Sequence, residues 1–250
     1  MADTPGMALL EHAAQGDELR LEAMKRRVEA GEPDAYVAGW MSFAGRWFKA
    51  DQRAYITDPE LIHLLELVRS EGDRIAPKHR PLRVLEFGIG AGTLAITLKL
   101  ERSGWALSGL DIDLPALQLA AENAKFHQVE IELLHSDFLD GWGDREPPDL
   151  LFADPPWGDE RDLYDNERDA AYYHAMPAAS AYPSNGRTGI HDELLRRLVA
   201  ARWPSLIVLN YGILPLSEIE RSGAALADYR LQPISTPSGD TVHVLIGRAV

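Results

Sequence analysis

Residues Leu82 to Thr93 read L-R-V-L-E-F-G-I-G-A-G-T. Leu82–Phe87 is a short apolar-rich run of strand length, and it stops at a glycine. Glycines at 88, 90 and 92 allow a tight turn and let backbone amides approach a ligand. Thr93–Glu101 then takes up a helical pattern. Strand, glycine-rich turn and helix in that order begin a βαβ unit, and this decides the fold class.

Downstream the alternation continues, with strands at Ala106–Leu110, Ile131–Leu134, Leu150–Ala153 and Leu206–Leu209. Helices are predicted at Leu114–Phe126, Ile190–Ala201 and Ser217–Leu226. Two last strands, Tyr229–Ile234 and Val242–Ile246, are joined by Pro237-Ser238-Gly239-Asp240 and so must be antiparallel, a reversed edge. The expectation is an α/β fold: a doubly wound, mostly parallel seven-stranded sheet with an antiparallel last strand. The longest irregular stretch, Gly158 to about Thr188, is too long for a simple connector.

Upstream, Pro59–Ser70 reads as a helix capped by Asp58, with Leu61, Leu64, Leu65 and Val68 on one face. From Met7 to Ala30 apolar residues recur at helical spacing, with a break near Gly16 and Asp17 as a second cap. Between Gly39 and Pro59 the aromatics Trp40, Phe43, Trp47, Phe48 and Tyr55 have weak periodicity. They suit either a loop packing its rings on the main domain or a lid over a pocket. The division expected is a small N-terminal helical appendage with its aromatic segment, residues 1–58, and an α/β domain, residues 59–250.

The chain has 250 residues and 46% hydrophobic content, an ordinary globular composition. No apolar run approaches the ~20 residues needed to span a bilayer, and no secretory signal is visible. With no cysteine, disulfides, thiolate catalysis and zinc ribbons are excluded, and a cytoplasmic location with no metal and no membrane partner is expected. The formal charge is −14, from 39 acidic and 25 basic residues, a field that repels polyphosphate. On that ground no nucleic-acid partner is expected.

The glycine turn alone fits any nucleotide fold. A dinucleotide site wants its third glycine one residue later, which disfavours NAD. Glu86, two residues before Gly88, points instead to S-adenosylmethionine, whose sulfonium and ammonium groups are cationic. Asp111 ends the second strand, where a carboxylate can accept both ribose hydroxyls. Asp137 follows the third, where it can accept from the adenine amino group, with Phe138 beside it to pack. Phe87 and Ile112, next to the acids, join Gly88, Gly90 and Gly92 in the expected cofactor site. Ligands bind at the carboxyl ends of strands in such sheets, and these acids fall at consecutive ones.

The fourth strand end reads F-A-D-P-P-W-G, Phe152 to Gly158. Two prolines remove two donors and fix φ, so a stiff turn is imposed between a carboxylate and an indole. The side chain of Asp154 and a carbonyl fixed by Pro155 can accept N–H bonds from a nitrogen nucleophile. Trp157 can stack on the planar group. Asp154 also borders the cofactor.

At this point the chain resembles the release-factor glutamine N5-methyltransferases and their small-domain relatives. F-A-G-R-W-F-K-A-D-Q-R (43–53) is similar to that family's opening segment, E-F-G-I-G-A-G-T to its cofactor loop, D-I-D-L-P-A-L-Q-L-A-A-E-N-A (111–124) to its second-strand signature and S-D-F-L to its third. Gly186-Arg187-Thr188-Gly189 looks like the turn that follows the double proline. The resemblance implies a class I, Rossmann-like methyltransferase fold. It also shows departures: Asp154 stands where the family has Asn, Trp157 where it has Tyr, and Thr57-Asp58-Pro59 where it has Pro-Arg-Pro. An ionised Asp only accepts hydrogen bonds, which matches an amine better than a carboxamide.

The reading of the acceptor is therefore a small-molecule amine, methylated at nitrogen. Tyr164, Tyr172, Tyr173, His174, Ser180 and Tyr182 would supply rings and hydroxyls to cover a compact ligand. One alternative is an azetidine-2-carboxylate synthase, which is built on this fold and cyclises S-adenosylmethionine itself; Asp154, Trp157, Tyr172 and Tyr173 would surround the sulfonium. A second is protein glutamine methylation, and a third is a non-enzymatic S-adenosylmethionine-binding module. Oligomeric state is not readable.

Overall fold

A computed structural model of the chain describes residues 5–159, 174–177, 183, 185–236 and 239–250. Three helices open it, α1 (Pro5–Ala14), α2 (Glu18–Glu29) and α3 (Asp34–Ala38). Asp17 caps α2 as its sequence suggests, its carboxylate accepting from Arg20 N–H at 3.0 Å.

The aromatic segment is not an irregular loop. Trp40–Phe43 (β1) and Arg46–Lys49 (β2) form an antiparallel hairpin, with Phe43 opposite Arg46 across the two-residue turn Ala44-Gly45. Both turn residues have positive φ, +49° and +72°, the twist that a two-residue hairpin requires. Its rings pack onto neighbouring elements. Phe48 is fully buried, Trp47 stacks on His12 at 3.9 Å and Trp40 tilts against Phe126 at 5.2 Å. Leu9, Leu10, Met24, Phe43 and Phe48 share one buried cluster with Val84, Leu94 and Phe152 of the main sheet and its helices.

A single 3-10 turn, Pro59–Leu61, capped by Asp58 at 2.9 Å, leads into α4 (Ile62–Ile75). Then follow β3 (Arg83–Phe87), α5 (Thr93–Glu101), β4 (Ala106–Asp111), α6 (Leu114–Phe126), β5 (Glu132–His135) and β6 (Leu150–Ala153). After the long connection come α7 (Gly189–Ala200), β7 (Leu206–Asn210), α8 (Leu216–Gly223), β8 (Asp228–Ser235) and β9 (Thr241–Arg248).

Seven strands form one sheet in the order β5-β4-β3-β6-β7-β9-β8. The pairs from β5 through β7 are parallel, and β9 runs antiparallel to both neighbours. The reversed strand is thus inside the sheet, not at its edge. Val244, Leu245 and Ile246 of β9 are buried, whereas β8 alternates, is largely exposed and carries Pro233, a residue tolerated at an edge. Strand order reverses between β3 and β6, and the crevice at that switch point is where such sheets bind ligands.

Candidate functional site

The carboxyl ends of β3, β4 and β6 bring Glu86, Asp111 and Asp154 together. Glu86 is buried, and its Oε2 accepts from Ala95 N–H at 2.9 Å, at the start of α5. Burial drives its pKa well above the usual carboxylate range against that hydrogen bond, and Asp154 and Asp111 push it further up. Asp111 braces the glycine turn: Oδ2 accepts from Gly90 N–H at 2.8 Å and Oδ1 from Asp113 N–H at 2.9 Å. Its pKa is raised too, by burial, while the Asp113 and Gly90 amides oppose the rise.

Between these acids the turn takes a conformation that favours glycine. Gly88, Gly90 and Gly92 have φ of +71°, +54° and +79°. Gly88 and Ile89 N–H both donate to the Leu110 carbonyl, at 2.8 and 2.9 Å, which ties the turn to β4. Among the described residues, no atom outside the adjoining peptide units lies within 4 Å of where a Cβ would stand on Gly88 or Gly90. The loop therefore presents bare backbone to an open cradle flanked by carboxylates. A cationic ligand with hydrogen-bonding hydroxyls fits that donor set.

Aromatic rings line the neighbouring edge. Phe87 and Phe138 stack with centroids 5.6 Å apart, and the Arg197 guanidinium lies 4.6 Å over Phe138. Phe138 sits at positive φ, +48°, in a turn held by Ser136 Oγ, which donates to the Phe138 carbonyl at 2.7 Å and accepts from Gly141 N–H at 2.8 Å. Asp137 and Ile112 are both exposed at strand ends, Ile112 unusually so for its size at 58%. The Ile112 backbone N–H nevertheless donates to the Asp111 carboxylate.

Asp154 is half-buried, with Pro155 buried behind it. Burial raises its pKa to about 7, Asn210 opposes the rise by donating Nδ2–H to Oδ1 at 2.8 Å, and nearby Asp58 adds to it. Trp157 packs its indole against Gly212, where an added Cβ would stand 2.2 Å from ring carbons. The turn ends at Gly158, whose N–H donates to the Arg187 carbonyl at 3.1 Å, closing the base of the long connection. Tyr164, Tyr172, Tyr173, Ser180 and Tyr182, expected to cover the ligand or to surround the sulfonium, lie outside the described residues. His174 is described and exposed.

Sequence reasoning missed four residues. Asn210, at the end of β7, and Gly212, just beyond it, hold Asp154 and Trp157. The rule that placed the acids at strand ends, carried one strand further, reaches Asn210. Asn123, fully buried in α6, accepts from Lys49 N–H at 2.8 Å and donates to the Lys49 and Ala91 carbonyls at 3.1 and 2.9 Å. It ties the hairpin to the glycine turn. Thr57 donates to Thr93 Oγ1 at 2.9 Å, bringing the segment that carries Asp58 over the start of α5.

Comparison with known proteins bears on this geometry. A family model described as Methyltransferase small domain matches residues 74–175. The chain is 29% identical over 192 residues to the release factor glutamine methyltransferase of Lactococcus lactis subsp. lactis, covering 76% of this chain and 68% of that one. It is 34% identical over 150 residues to the ribosomal protein uL3 glutamine methyltransferase of Xanthomonas campestris pv. campestris, covering 59% of this chain and 47% of that one. The chain thus spans about half to two thirds of the length of these curated relatives. Among solved structures, the hMettl16 catalytic domain in complex with MAT2A 3'UTR hairpin 1 superposes with a TM-score of 0.62 at 10% identity, over 80% of this chain and 72% of that one. That last likeness is one of fold.

The chain is a class I S-adenosylmethionine-dependent methyltransferase, with S-adenosylmethionine as its cofactor. Within that class it is like the release factor glutamine methyltransferases.

The expectation of a small-molecule acceptor and no nucleic acid is overturned. The relatives are named for glutamines of release factors and of ribosomal protein uL3, and the structural neighbour is complexed with a 3'UTR hairpin. Two arguments failed. A charge of −14 is a sum over the whole chain and does not describe the field at one sheet edge. And a carboxylate asks only for N–H donors, which a carboxamide nitrogen offers as well as an amine does. Among the described residues no helix is long and apolar enough to cross a membrane.

Proposed function

We propose that this enzyme methylates the carboxamide nitrogen of a glutamine side chain presented by a protein. The observation that carries the reading is the D-P-P-W turn at the switch point of the sheet. Its carboxylate is set beside the glycine cradle, with an indole wall two prolines away. The names of the similar proteins support the same acceptor class.

In this reading Glu86, Asp111 and Asp137 face the polar groups of the cofactor, the backbone of Gly88, Gly90 and Gly92 cradles it, and Phe87, Ile112 and Phe138 flank its base. When bound, the cofactor supplies a methyl group carried on a sulfonium. A carboxamide nitrogen is a weak nucleophile, so alignment and exclusion of water carry much of the barrier reduction. Asp154 accepts one N–H of the amide and aims the nitrogen. Its carboxyl, poised near neutrality, is placed to take up the proton that the nitrogen gives up. Pro155 and Pro156 keep the turn stiff, and Trp157 walls the plane of the amide. The division into residues 1–58 and 59–250 belongs to the proposal, with the first part meeting the protein acceptor. Its end supports that role, since Thr57 and Asp58 reach Thr93 and the neighbourhood of Asp154. A cytoplasmic site of action, where such acceptors are made, goes with it.

The test is to incubate the full chain with S-adenosylmethionine labelled at the methyl group and a purified bacterial release factor or ribosomal protein uL3. Peptide mass spectrometry should place one methyl on a glutamine side chain. Label that appears only in added RNA, or methylthioadenosine formed with no acceptor present, would sink the glutamine reading.

A further inference from the structure

Asn210 ends β7, next to β6, and three hydrogen bonds fix it. Its backbone carbonyl accepts from His191 Nε2–H at 2.7 Å. Burial drives the His191 pKa down to about 4, so that ring is a neutral donor at physiological pH. The Asn210 side-chain oxygen accepts from Gly212 N–H at 3.2 Å. With the oxygen committed, the amide nitrogen is turned outward and donates to Asp154 Oδ1 at 2.8 Å. The hydrogen-bond network thus sets which way the amide faces. Gly212 has φ of +55° and leaves no room for a side chain beneath Trp157. One turn, Asn210-Tyr211-Gly212, holds both the acid and the ring of the D-P-P-W stretch.

We propose that Asn210 is the positioning residue for the acceptor: it clamps one oxygen of Asp154 and turns the other toward the incoming nitrogen. This rests on the reading of Asp154 as the acceptor-aligning group. Among the described residues, the charged groups around Asp154 oppose its ionisation or are coupled to groups that do. Asp58 faces it from the segment before α4, and Glu86 from β3, itself coupled to Asp111 of β4. From β7 comes the neutral Asn210, itself held by the neutral His191 of α7. The Asn210 N–H is the contact that favours the carboxylate, because a donor stabilises the charged form. Without it the carboxyl is free to rotate and keeps its proton to higher pH.

The experiment uses the full chain labelled with carbon-13 at the aspartate carboxyls, with Asp154→Asn to assign the signal. Asn210→Leu should move the Asp154 titration upward by about one to two pH units, the worth of a hydrogen bond to a charged group. Single-turnover transfer to a release factor rises with pH as Asp154 ionises, and the variant should carry that rise to higher pH by the same amount. At pH 7 its rate should fall roughly 5- to 50-fold, while the cofactor dissociation constant stays within about twofold because its ligands are untouched. If Asn210→Leu does not fold, Asn210→Ser, too short to reach Asp154, is read the same way. An unmoved Asp154 titration, or a rate that falls with no change in its pH profile, overturns the proposal. The titration needs no acceptor, so the two readings fail separately. A shifted titration in a protein whose parent methylates no glutamine leaves the hold on Asp154 standing and removes the glutamine reading. An unmoved titration in a parent that does methylate glutamine removes Asn210 alone.

Discussion

Replacing Asp154 by asparagine keeps the volume of the side chain and the turn, and changes one thing, the pattern of donors and acceptors. Asn210 Nδ2–H must remain a donor, because its oxygen is held by Gly212 N–H at 3.2 Å. The new amide in Asp154→Asn therefore has two arrangements. Either its oxygen accepts from Asn210 and its NH2 faces the N–H of the substrate, or its oxygen faces the substrate and two NH2 groups oppose each other at 2.8 Å. Each leaves one donor unpaired in a half-buried site, at a cost of about 1–3 kcal/mol. At about 1.4 kcal/mol per tenfold that is roughly a 5- to 150-fold slower transfer, before any loss of proton uptake. Adding Asn210→Asp reverses the polarity of the pair. The amide at 154 then donates to the new carboxylate and presents its oxygen to the acceptor, and the Gly212 N–H still has a partner. Geometry is restored without the original charge, so the double variant should be faster than Asp154→Asn alone, with a coupling of about 1–2 kcal/mol. Single-turnover rates at saturating cofactor, with the cofactor dissociation constant measured separately by calorimetry, give the cycle. A rate for Asp154→Asn equal to the parent's, or a double variant no faster than the single, would refute this account of the pair.

Three further outcomes follow from the same contacts. Asp111→Ala removes a carboxylate that braces Gly90 and faces the cofactor cradle, so cofactor affinity should fall by about 1.5–3 kcal/mol, roughly 10- to 150-fold in calorimetry, with the fold retained by circular dichroism. Asn123→Leu deletes three buried hydrogen bonds that join β2 to the glycine turn, so denaturant unfolding should show a loss of about 2–4 kcal/mol. Burial tends to raise the Asp149 pKa, but Arg80, bonded to it through two nitrogens at 2.6 Å, and Arg83 bring it down to about 2. A folded-state pKa below the unfolded value means stability present above about pH 4 and lost as pH falls through 2. Melting temperature against pH should therefore drop over that window in the parent and drop less in Asp149→Asn; equal slopes would remove the pair from the acid transition.

What could be read from the chain and what could not divide along physical lines. The strand-end acids were legible because a parallel sheet puts every carboxyl end on one edge, so a residue's place in the alternation fixes its side of the molecule. Glu86, Asp111 and Asp154 needed no contact information to be grouped. The hairpin at residues 40–49 was not legible, because its turn is Ala44-Gly45, and an alanine at φ +49° is not the Asn-Gly or Asp-Gly signal that marks such turns. The place of β9 inside the sheet was readable only in retrospect. Chain order puts β8 first, but the unbroken apolar run Val244-Leu245-Ile246 demands two covered faces, and the alternating β8 with its proline does not. Asn210 was hidden for a different reason. A single amide at a strand end has no periodicity, and its weight comes from three partners, two of them 56 and 19 residues before it and one 2 residues after it. The acceptor was misread because a property of the whole chain, net charge, was used to judge one crevice. Among the described residues, Asp58, Glu86, Asp111 and Asp154 set the field there, and in the proposed reading they receive a cationic cofactor. A surface that is repulsive to phosphate at long range still leaves a neutral carboxamide free to enter, since a group without charge feels the field only through its dipole.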